Sequence, residues 1–416
     1  MPNSGVPSRP SKLPVNLLVL LLLCCSHLIA FAQFAHTRQT RIVDGKGNAF
    51  LIHGTNLGNW LVPEGYMWNF EGGPQSTREI ESLVMELLGP DKAETFWHQY
   101  RDTYITRQDI HLLHEAGFNT IRVPLHYKLF ESDNSEGFVL LDRVLEWSRD
   151  EGLHVILDMH AAPGGQTGAN IDDSYGYPWL YDSPEEQAHL VAIWQRIARR
   201  YRENATLLGY DVLNEPIPHF PALAPLNVKL EPLYKKLTAA IREVDQNHIL
   251  FLGGAQWDSN FAVFHEPFDK NTAYTFHKYW TATDVSVIQP YLDFRDRYDV
   301  PIWMGESGEN TDEWITQFVA LLNRNDIGWT FWPYKKMSKA SAVVTIAPPG
   351  EWDKIVAFAK LPRGTGAVEA RLMSRPDQQT IERAFAGLLE NIQLRHCHVN
   401  PGYLNALGMK NVAVPD

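Results

Sequence analysis

The sequence predicts an α/β chain closed into a single (β/α)8 TIM barrel over residues 33–416, and three observations carry the prediction. Beyond residue 40, short strand-like apolar runs alternate with amphipathic helix-like ones, without a long linker. Several of the strand-like runs are apolar at nearly every position, as strands of a parallel sheet covered on both faces must be. Eight such runs occur, the number that closes a parallel sheet on itself. A chain of 416 residues, 44% hydrophobic and 21% charged, can bury the core this requires.

Residues 50–54 read as the first strand, and Ile80, Leu83, Val84 and Leu87 recur at helical spacing after it. The second strand is 120–124, followed by a helix with Leu141, Val144, Leu145 and Trp147 on one face. The third is 153–160, with a helix over about 184–202; the fourth, 207–212, leads into Glu215 and a helix over 233–244. Strands five and six are 249–253 and 273–277, with a helix over 288–298 next. The seventh ends on Glu306, a helix spans 312–323, and the eighth is 328–332. Ala347-Pro348-Pro349-Gly350 is then a turn before the last helix, and residues 351–416 read as that helix and a tail. No short repeat, heptad array, P-loop or low-complexity domain is present.

The N-terminus reads as a processing segment. Arg9 and Lys12 precede an apolar run from Leu17 to Ala32, and Ala30-Phe31-Ala32 has the small-x-small pattern of a cleavage site. Residues 1–32 are thus expected to be a signal peptide, with the mature chain beginning near Gln33 and exported to an extracellular or periplasmic location. The alternative is an uncleaved anchor, for which a run broken by Ser26 and His27 is short. Cys24 and Cys25 fall in the same segment, leaving Cys397 alone and no intramolecular disulfide in the mature chain. His396 and His398 flank Cys397, but adjacent residues seldom face one site, so a solvated C-terminal segment is expected rather than a metal site. The net charge of −12 argues against nucleic acid and anionic membrane surfaces as partners and suits an exported enzyme with a neutral substrate.

Two segments carry the chemistry. Leu213-Asn214-Glu215-Pro216 and Trp303-Met304-Gly305-Glu306 each end an apolar run with a glutamate. Carboxylates at the C-terminal tips of two strands are what a sugar-cleaving site requires, one to protonate the leaving oxygen and one to attack or stabilise an oxocarbenium-like carbon. Taken singly, Asn214 and Glu215 read equally well as helix-capping residues and Glu306 as a loop residue; their order, spacing and polar company favour catalysis. In a barrel, functional residues sit where strands give way to loops, which gathers Asn56, Arg122, His160, Asn214, Glu215, His277, Tyr279, Glu306 and Trp332 into one ring. Asp158 and Asp211 precede the strand tips and read as structural groups facing elsewhere. A zinc site of His160, His277 and Glu306 leaves Arg122 and Glu215 without a role, so no metal or other cofactor is expected.

Ile121-Arg122-Val123-Pro124, Asp158-Met159-His160, Leu213-Asn214-Glu215-Pro216, Phe276-His277-Lys278-Tyr279, Met304-Gly305-Glu306 and Trp329-Thr330-Phe331-Trp332 resemble, in order, the strand-end motifs of glycoside hydrolase family five, the cellulase family. The resemblance covers nearly the whole mature chain. It implies a retaining glycosidase with Glu215 as general acid/base and Glu306 as nucleophile. It further implies that Arg122 and Tyr279 hold Glu306, that Asn214 grips the sugar 2-hydroxyl, and that His160 and His277 bind hydroxyls or tune Glu215. Trp332 becomes the stacking floor.

Two longer stretches, 54–64 and 157–168, are similar to the exo-β-1,3-glucanases of that family, in which the early glutamate, here Glu64, binds outer hydroxyls of a terminal glucose. The sequence departs from them after Glu64, in the loop 169–182, and in lacking their disulfides. Trp68, Tyr175, Tyr177, Trp179, Trp257 and Trp280 fall in loops over the barrel mouth and are candidates for an aglycone platform. The expected function is hydrolysis of β-glucans or β-glucosides by double displacement, exo-acting, with no stable membrane association after signal cleavage. An endo-β-1,4-glucanase or mannanase, a transglycosylase, and a non-catalytic carbohydrate-binding barrel are the alternatives.

Overall fold

Eight parallel strands close on themselves in sequence order: β1 (His53–Asn56), β2 (Thr120–His126), β3 (His154–Ala161), β4 (Leu207–Asp211), β5 (Ile249–Gly253), β6 (Thr272–His277), β7 (Ile302–Glu306) and β8 (Gly328–Phe331). The ring shuts where β8 pairs with β1 through Trp329↔His53, Thr330↔Gly54 and Phe331↔Thr55. This computed structural model describes residues 1–2 and 34–414, so the expected signal segment lies, apart from its first two residues, outside the described residues. The barrel strands are those read from the sequence, with ends shifted by a few residues.

Side chains alternate along each strand, and the alternation sorts them into two cores. Val155, Leu157 and Met159 of β3 join the large core under the helices, whereas Ile156 packs inside with Leu208, Ile249, Phe251, Ala273 and Trp303. Ala35 and Ile42 join that inner cluster from beside and within a short N-terminal hairpin, in which His36–Arg38 pairs with Arg41–Val43. The apolar cluster fills one end of the barrel; at the other end the same alternation continues as Asp158 and His160 on β3 and Thr275 and His277 on β6.

The long region between β1 and β2 holds three helices, α1 (Thr77–Leu88), α2 (Pro90–Tyr104) and α3 (Arg107–Ala116). Ser76 and Glu79 form a capping box that starts α1, and Ile80, Leu83, Val84 and Leu87 are its buried face. The outer ring continues with α4 (Glu136–Glu151), α5 (Pro184–Tyr201), α6 (Asn227–Arg242), α7 (Gln289–Tyr298) and α8 (Asp312–Arg324). Helix α6 begins before the expected residue 233 because a 3-10 turn, Pro221–Leu226, runs straight into it and Pro232 is accommodated within it.

The C-terminal reading is corrected. Residues 351–414 are not one helix and a tail: Trp352–Ala359, Val368–Ser374, Gln378–Asn391 and Pro401–Ala406 are all helical. Strand His398–Val399 pairs with Val344–Ile346, which in turn pairs with Lys335–Met337, so Cys397 sits in a packed segment, half-buried. Aromatic packing holds these helices down: Phe385 meets Phe96 of α2 at 5.2 Å, and Trp352 meets Phe70 at 5.6 Å. Trp68 belongs to this cluster and not to the barrel mouth; it is fully buried, and its Nε1 donates to Asn59 Oδ1 at 2.8 Å.

Candidate active site

The polar end of the barrel is organised around Arg122, whose side chain is wholly buried on β2 between Ile121 and Val123. Nε donates to Asp211 Oδ2 (2.8 Å), Nη1 to Asn56 Oδ1 (3.0 Å) and Glu306 Oε1 (2.5 Å), and Nη2 to Asn214 Oδ1 (2.8 Å). Asp158 Oδ1 lies 3.1 Å from Nη2. Burial alone favours a neutral guanidine, but the charges of Asp158, Asp211 and Glu306 outweigh it and raise Arg122 further above its usual range.

The expectation that Asp158 and Asp211 face away from the site is therefore wrong. Asp158 shares a strand face with His160, two residues on, and a buried guanidinium requires carboxylates beneath it. Burial pushes both aspartates up to about 7 against the opposing pull of Arg122.

Glu306 has both oxygens engaged, Oε1 by Arg122 and Oε2 by the Tyr279 hydroxyl, which donates at 3.0 Å. Two donors on one carboxylate, one of them a cation, are the surroundings an ionised group needs. Glu215 is placed oppositely. Burial lifts it to about 7, although His160 and Arg122 pull it down, and its Oε1 lies 3.0 Å from Nδ1 of His277. Burial also depresses both histidines, His277 to about 3 and His160 to about 4, so each ring is neutral near pH 7. Glu215 itself has φ 45°, a left-handed conformation that costs a non-glycine residue energy and is held here by a bond from its N–H to Asp258 Oδ2 at 3.0 Å.

One oxygen of Glu215, one of Glu306 and one nitrogen of His277 lie within 4.8 Å of each other. The donor set does not fit a resident cation: both Glu306 oxygens are already bonded, His277 Nδ1 faces Glu215, and the Arg122 guanidinium stands beside them. His160, the third member of the zinc alternative, is outside this cluster and directs Nδ1 to Asp158 Oδ2 at 2.8 Å.

These groups open into a cavity of about 850 Å³. Glu64, His160, Glu215, His277, Tyr279, Glu306 and Trp332 lie on its wall, and Asn56, Arg122 and Asn214 stand behind it, so all the candidates read from the sequence meet at one place. Trp332 stacks on His160 with ring centroids 5.6 Å apart and planes 5° from parallel, and its Nε1 donates to Tyr66 OH at 2.7 Å. Gly58 makes room for it; a Cβ there would stand 2.5 Å from Trp332 Cη2. Asn214 Nδ2 and Glu64 Oε1 are buried and lack a hydrogen-bond partner among the described residues. Burial raises Glu64 well above the usual carboxylate range, reinforced by the charges of Glu306, Glu309 and Glu215.

Of the proposed platform aromatics, Trp257 and Trp280 reach the cavity, joined by Phe220, which meets Trp257 edge-on at 6.2 Å. Tyr175 lies against the Arg78 guanidinium, 3.7 Å from the ring centre, and Tyr177 and Trp179 pack on each other. Sequence reasoning missed Tyr66, Asp258, Glu309 and Lys336. Lys336 is ion-paired with Glu309 and stands 4.5 Å above the Tyr66 ring. Asp258 had a signal: β5 was the one strand after which no polar group had been assigned to the mouth.

A family model described as cellulase, glycosyl hydrolase family 5, matches residues 85–338. The chain is 28% identical to a "Beta-xylosidase" of Phanerodontia chrysosporium, covering 71% of this chain and 69% of that protein. It is 25% identical to "Endoglucanase C" of Acetivibrio thermocellus (59% and 88%) and 27% identical to "Probable glucan 1,3-beta-glucosidase A" of Neosartorya fischeri (63% and 66%). A solved structure described as an endogalactoceramidase superposes with a TM-score of 0.58 at 18% identity, over 90% of this chain and 84% of that one, a likeness of fold alone.

Proposed function

The chain belongs to glycosyl hydrolase family 5 and is a glycoside hydrolase; from that premise we propose a retaining, exo-acting β-glycosidase that releases glucose from β-glucans or β-glucosides. The observation that carries the mechanism is the pair Glu215 and Glu306, with oxygens within 4.8 Å and opposite surroundings. Retaining enzymes hold their carboxyl groups about 5–5.5 Å apart, whereas inverting ones leave about 6.5–9.5 Å for a water.

Glu306, bonded by Arg122 and Tyr279, attacks the anomeric carbon. The bond to the leaving oxygen breaks as Glu215 transfers its proton there, leaving a glycosyl ester on Glu306. Glu215, now a carboxylate, takes a proton from water; the water oxygen bonds to the anomeric carbon and the ester to Glu306 breaks. Asn214 Nδ2 is the free donor for the sugar 2-hydroxyl, a contact that strengthens in the transition state. Trp332 supplies the face on which the sugar lies.

Exo action is supported by the unpartnered Glu64 oxygen beside the Lys336–Glu309 pair, an arrangement suited to gripping the outer hydroxyls of a chain end. The likeness to an endoglucanase supports the endo alternative. Export is likewise proposed, on the apolar run and the Ala30-Phe31-Ala32 pattern alone. No helix among the described residues is long and apolar enough to cross a membrane.

The test is a product time course on laminari- and cello-oligosaccharides followed by proton NMR. β-Glucose alone at the earliest points is expected. First-formed α-anomer overturns retention, and a ladder of intermediate oligosaccharides overturns exo action. Glu306→Ala is expected to abolish turnover with the fold kept; full activity refutes the assignment.

A further inference from the structure

Charge is divided unevenly around the barrel mouth. The strands close in sequence order, so β8 and β1 stand across the barrel from β4 and β5. Glu64 follows β1 and Glu309 follows β7, and both lie on the cavity wall with Trp332 at the end of β8. The loops after β4, β5 and β6 bring no carboxylate to that wall besides Glu215 itself. They bring His219 and Phe220, Trp257 and Ser259, and Lys278 and Trp280.

Lys278 is the cation of this side. It is half-buried, and among the described residues no carboxylate comes within 4.0 Å of its ammonium. The buried lysines Lys335 and Lys336 are by contrast ion-paired, with Asp109 and Glu309. Burial alone pushes Lys278 below its ordinary value, with no negative charge pulling it back. In a chain with 49 acidic residues, a cation left without a counter-charge on a cavity wall is an open half of an ion pair.

The neighbours of Lys278 fix where that half stands. Its backbone N–H donates to the Glu306 carbonyl at 3.1 Å, which ties it to the site. Its Nζ is 5.3 Å from the centre of the Tyr291 ring, and the Tyr291 hydroxyl donates to the Ser259 carbonyl at 2.9 Å. Ser259 Oγ lies 3.2 Å from Nε2 of His219, on which the Lys278 charge also bears. Lys278, Ser259 and His219 thus share one corner of the cavity, beside the rings of Trp257 and Phe220.

We propose that this corner binds a carboxylate on the leaving group, with Lys278 as the specificity-determining cation and the adjoining rings as its apolar wall. The inference rests on the reading of Glu215 as acid/base, which puts the leaving group on this side of the cavity, away from Glu64 and Trp332. The net charge of −12 repels anions at long range, so recognition falls to the local pair, which a half-buried setting screens less than open water does. A carboxylate there stabilises the ammonium form that burial disfavours. Two kinds of aglycone carry such a group, an aromatic acid and a uronic acid.

The experiment measures kcat/KM for wild type and Lys278→Met on two substrate pairs. One pair is 3-carboxyphenyl and 3-carbamoylphenyl β-glucoside; the other is glucosyl-β-1,4-glucuronic acid and cellobiose. Methionine keeps the length of the stem and removes the charge. The acid-over-neutral ratio is expected to be about tenfold higher in wild type than in K278M, and comparing ratios between enzymes cancels differences in leaving-group chemistry. A shift in the aryl pair identifies an aromatic acid, and a shift in the sugar pair a uronic acid. Ratios unchanged in both pairs overturn the proposal, including the case in which K278M loses acid and neutral members equally. If K278M does not fold, wild type alone decides: its ratio is expected to shrink as salt rises from about 0.02 to about 0.5 M, and a ratio indifferent to salt overturns the proposal. Wild type that cleaves neither neutral member refutes the β-glucoside reading by itself. Calorimetry with 3-hydroxybenzoate and glucuronate then decides the inference, tighter binding to wild type than to K278M being expected and equal binding overturning it.

Discussion

Replacing Arg122 with lysine keeps the charge and removes the geometry, which isolates what the guanidinium does. Arginine donates to Asp211, Asn56, Glu306 and Asn214 and contacts Asp158, all of them buried. A lysine offers three donors from a single point, so at least two of these contacts fail. Charge-assisted hydrogen bonds contribute about 1.5–3 kcal/mol each, giving about 3–6 kcal/mol of lost stability. An unfolding entropy of about 2 cal/mol/K per residue over residues 34–414 gives about 0.8 kcal/mol/K, so Tm is expected to fall by about 4–8 °C. One of the weakened contacts is the bond to Glu306, the proposed nucleophile. At about 1.4 kcal/mol per factor of ten, its loss lowers kcat/KM by about ten- to a hundredfold. Scanning calorimetry and aryl-glucoside kinetics on R122K measure both quantities. A Tm within about a degree of wild type together with kcat/KM within about threefold refutes Arg122 as the organising cation. A lowered Tm with full activity confines it to the scaffold.

Glu215, lifted to about 7, must be protonated to donate, so kcat/KM is expected to fall about tenfold per pH unit above about pH 7, and a flat profile there removes the acid role. The same shift has a stability sign. A carboxyl raised in the folded state contributes stability that is full below the unfolded value of 4.5 and is lost as pH rises through about 7. Glu215→Gln is therefore expected to gain Tm relative to wild type with rising pH across that window, and a constant difference argues against the buried neutral acid. Glu64→Gln is expected to raise KM for oligosaccharides about tenfold with a smaller change in kcat, and an unchanged KM excludes Glu64 from recognising the terminal sugar. Gly58→Ala drives a methyl to 2.5 Å from Trp332 Cη2, so overpacking by about 1–3 kcal/mol should lower Tm and raise KM together; an unaffected KM separates Trp332 from sugar binding.

What was legible in the sequence was what alternation encodes. Arg122, His160 and His277 are polar residues inside otherwise apolar strands, and such residues announce themselves because burial demands a partner. The barrel followed from the same runs. The loops were not legible, for they have no period. Trp68 and Trp257 looked alike as loop tryptophans, yet Trp68 packs beneath Trp352 of a C-terminal helix and Trp257 is carried to the cavity by a left-handed backbone. Asp158 and Asp211 were misplaced for a different reason. The two-residue spacing to His160 did record the direction of Asp158, whereas no spacing along the chain tells that Asp211 joins it beneath the buried Arg122. The C-terminal helices depend on aromatic contacts with Phe96 of α2 and with Trp68 and Phe70, hundreds of residues earlier.

The two glutamates have identical side chains and opposite surroundings in one small volume, which is what the proposed tasks require. They stand within 4.8 Å, yet their neighbours differ. Arg122 and Tyr279 direct N–H and O–H to Glu306, whereas Glu215 meets a ring that burial keeps neutral. A charged His277 would favour the Glu215 carboxylate and disarm the acid, so the depth of that ring in the barrel is a functional requirement. The same logic explains the aspartates beneath. Asp158 and Asp211 hold the Arg122 guanidinium from below, in the orientation that directs Nη1 at Glu306. The proposed acid and nucleophile are therefore distinguished by their direct neighbours and, through Arg122, by carboxylates buried beneath the cavity.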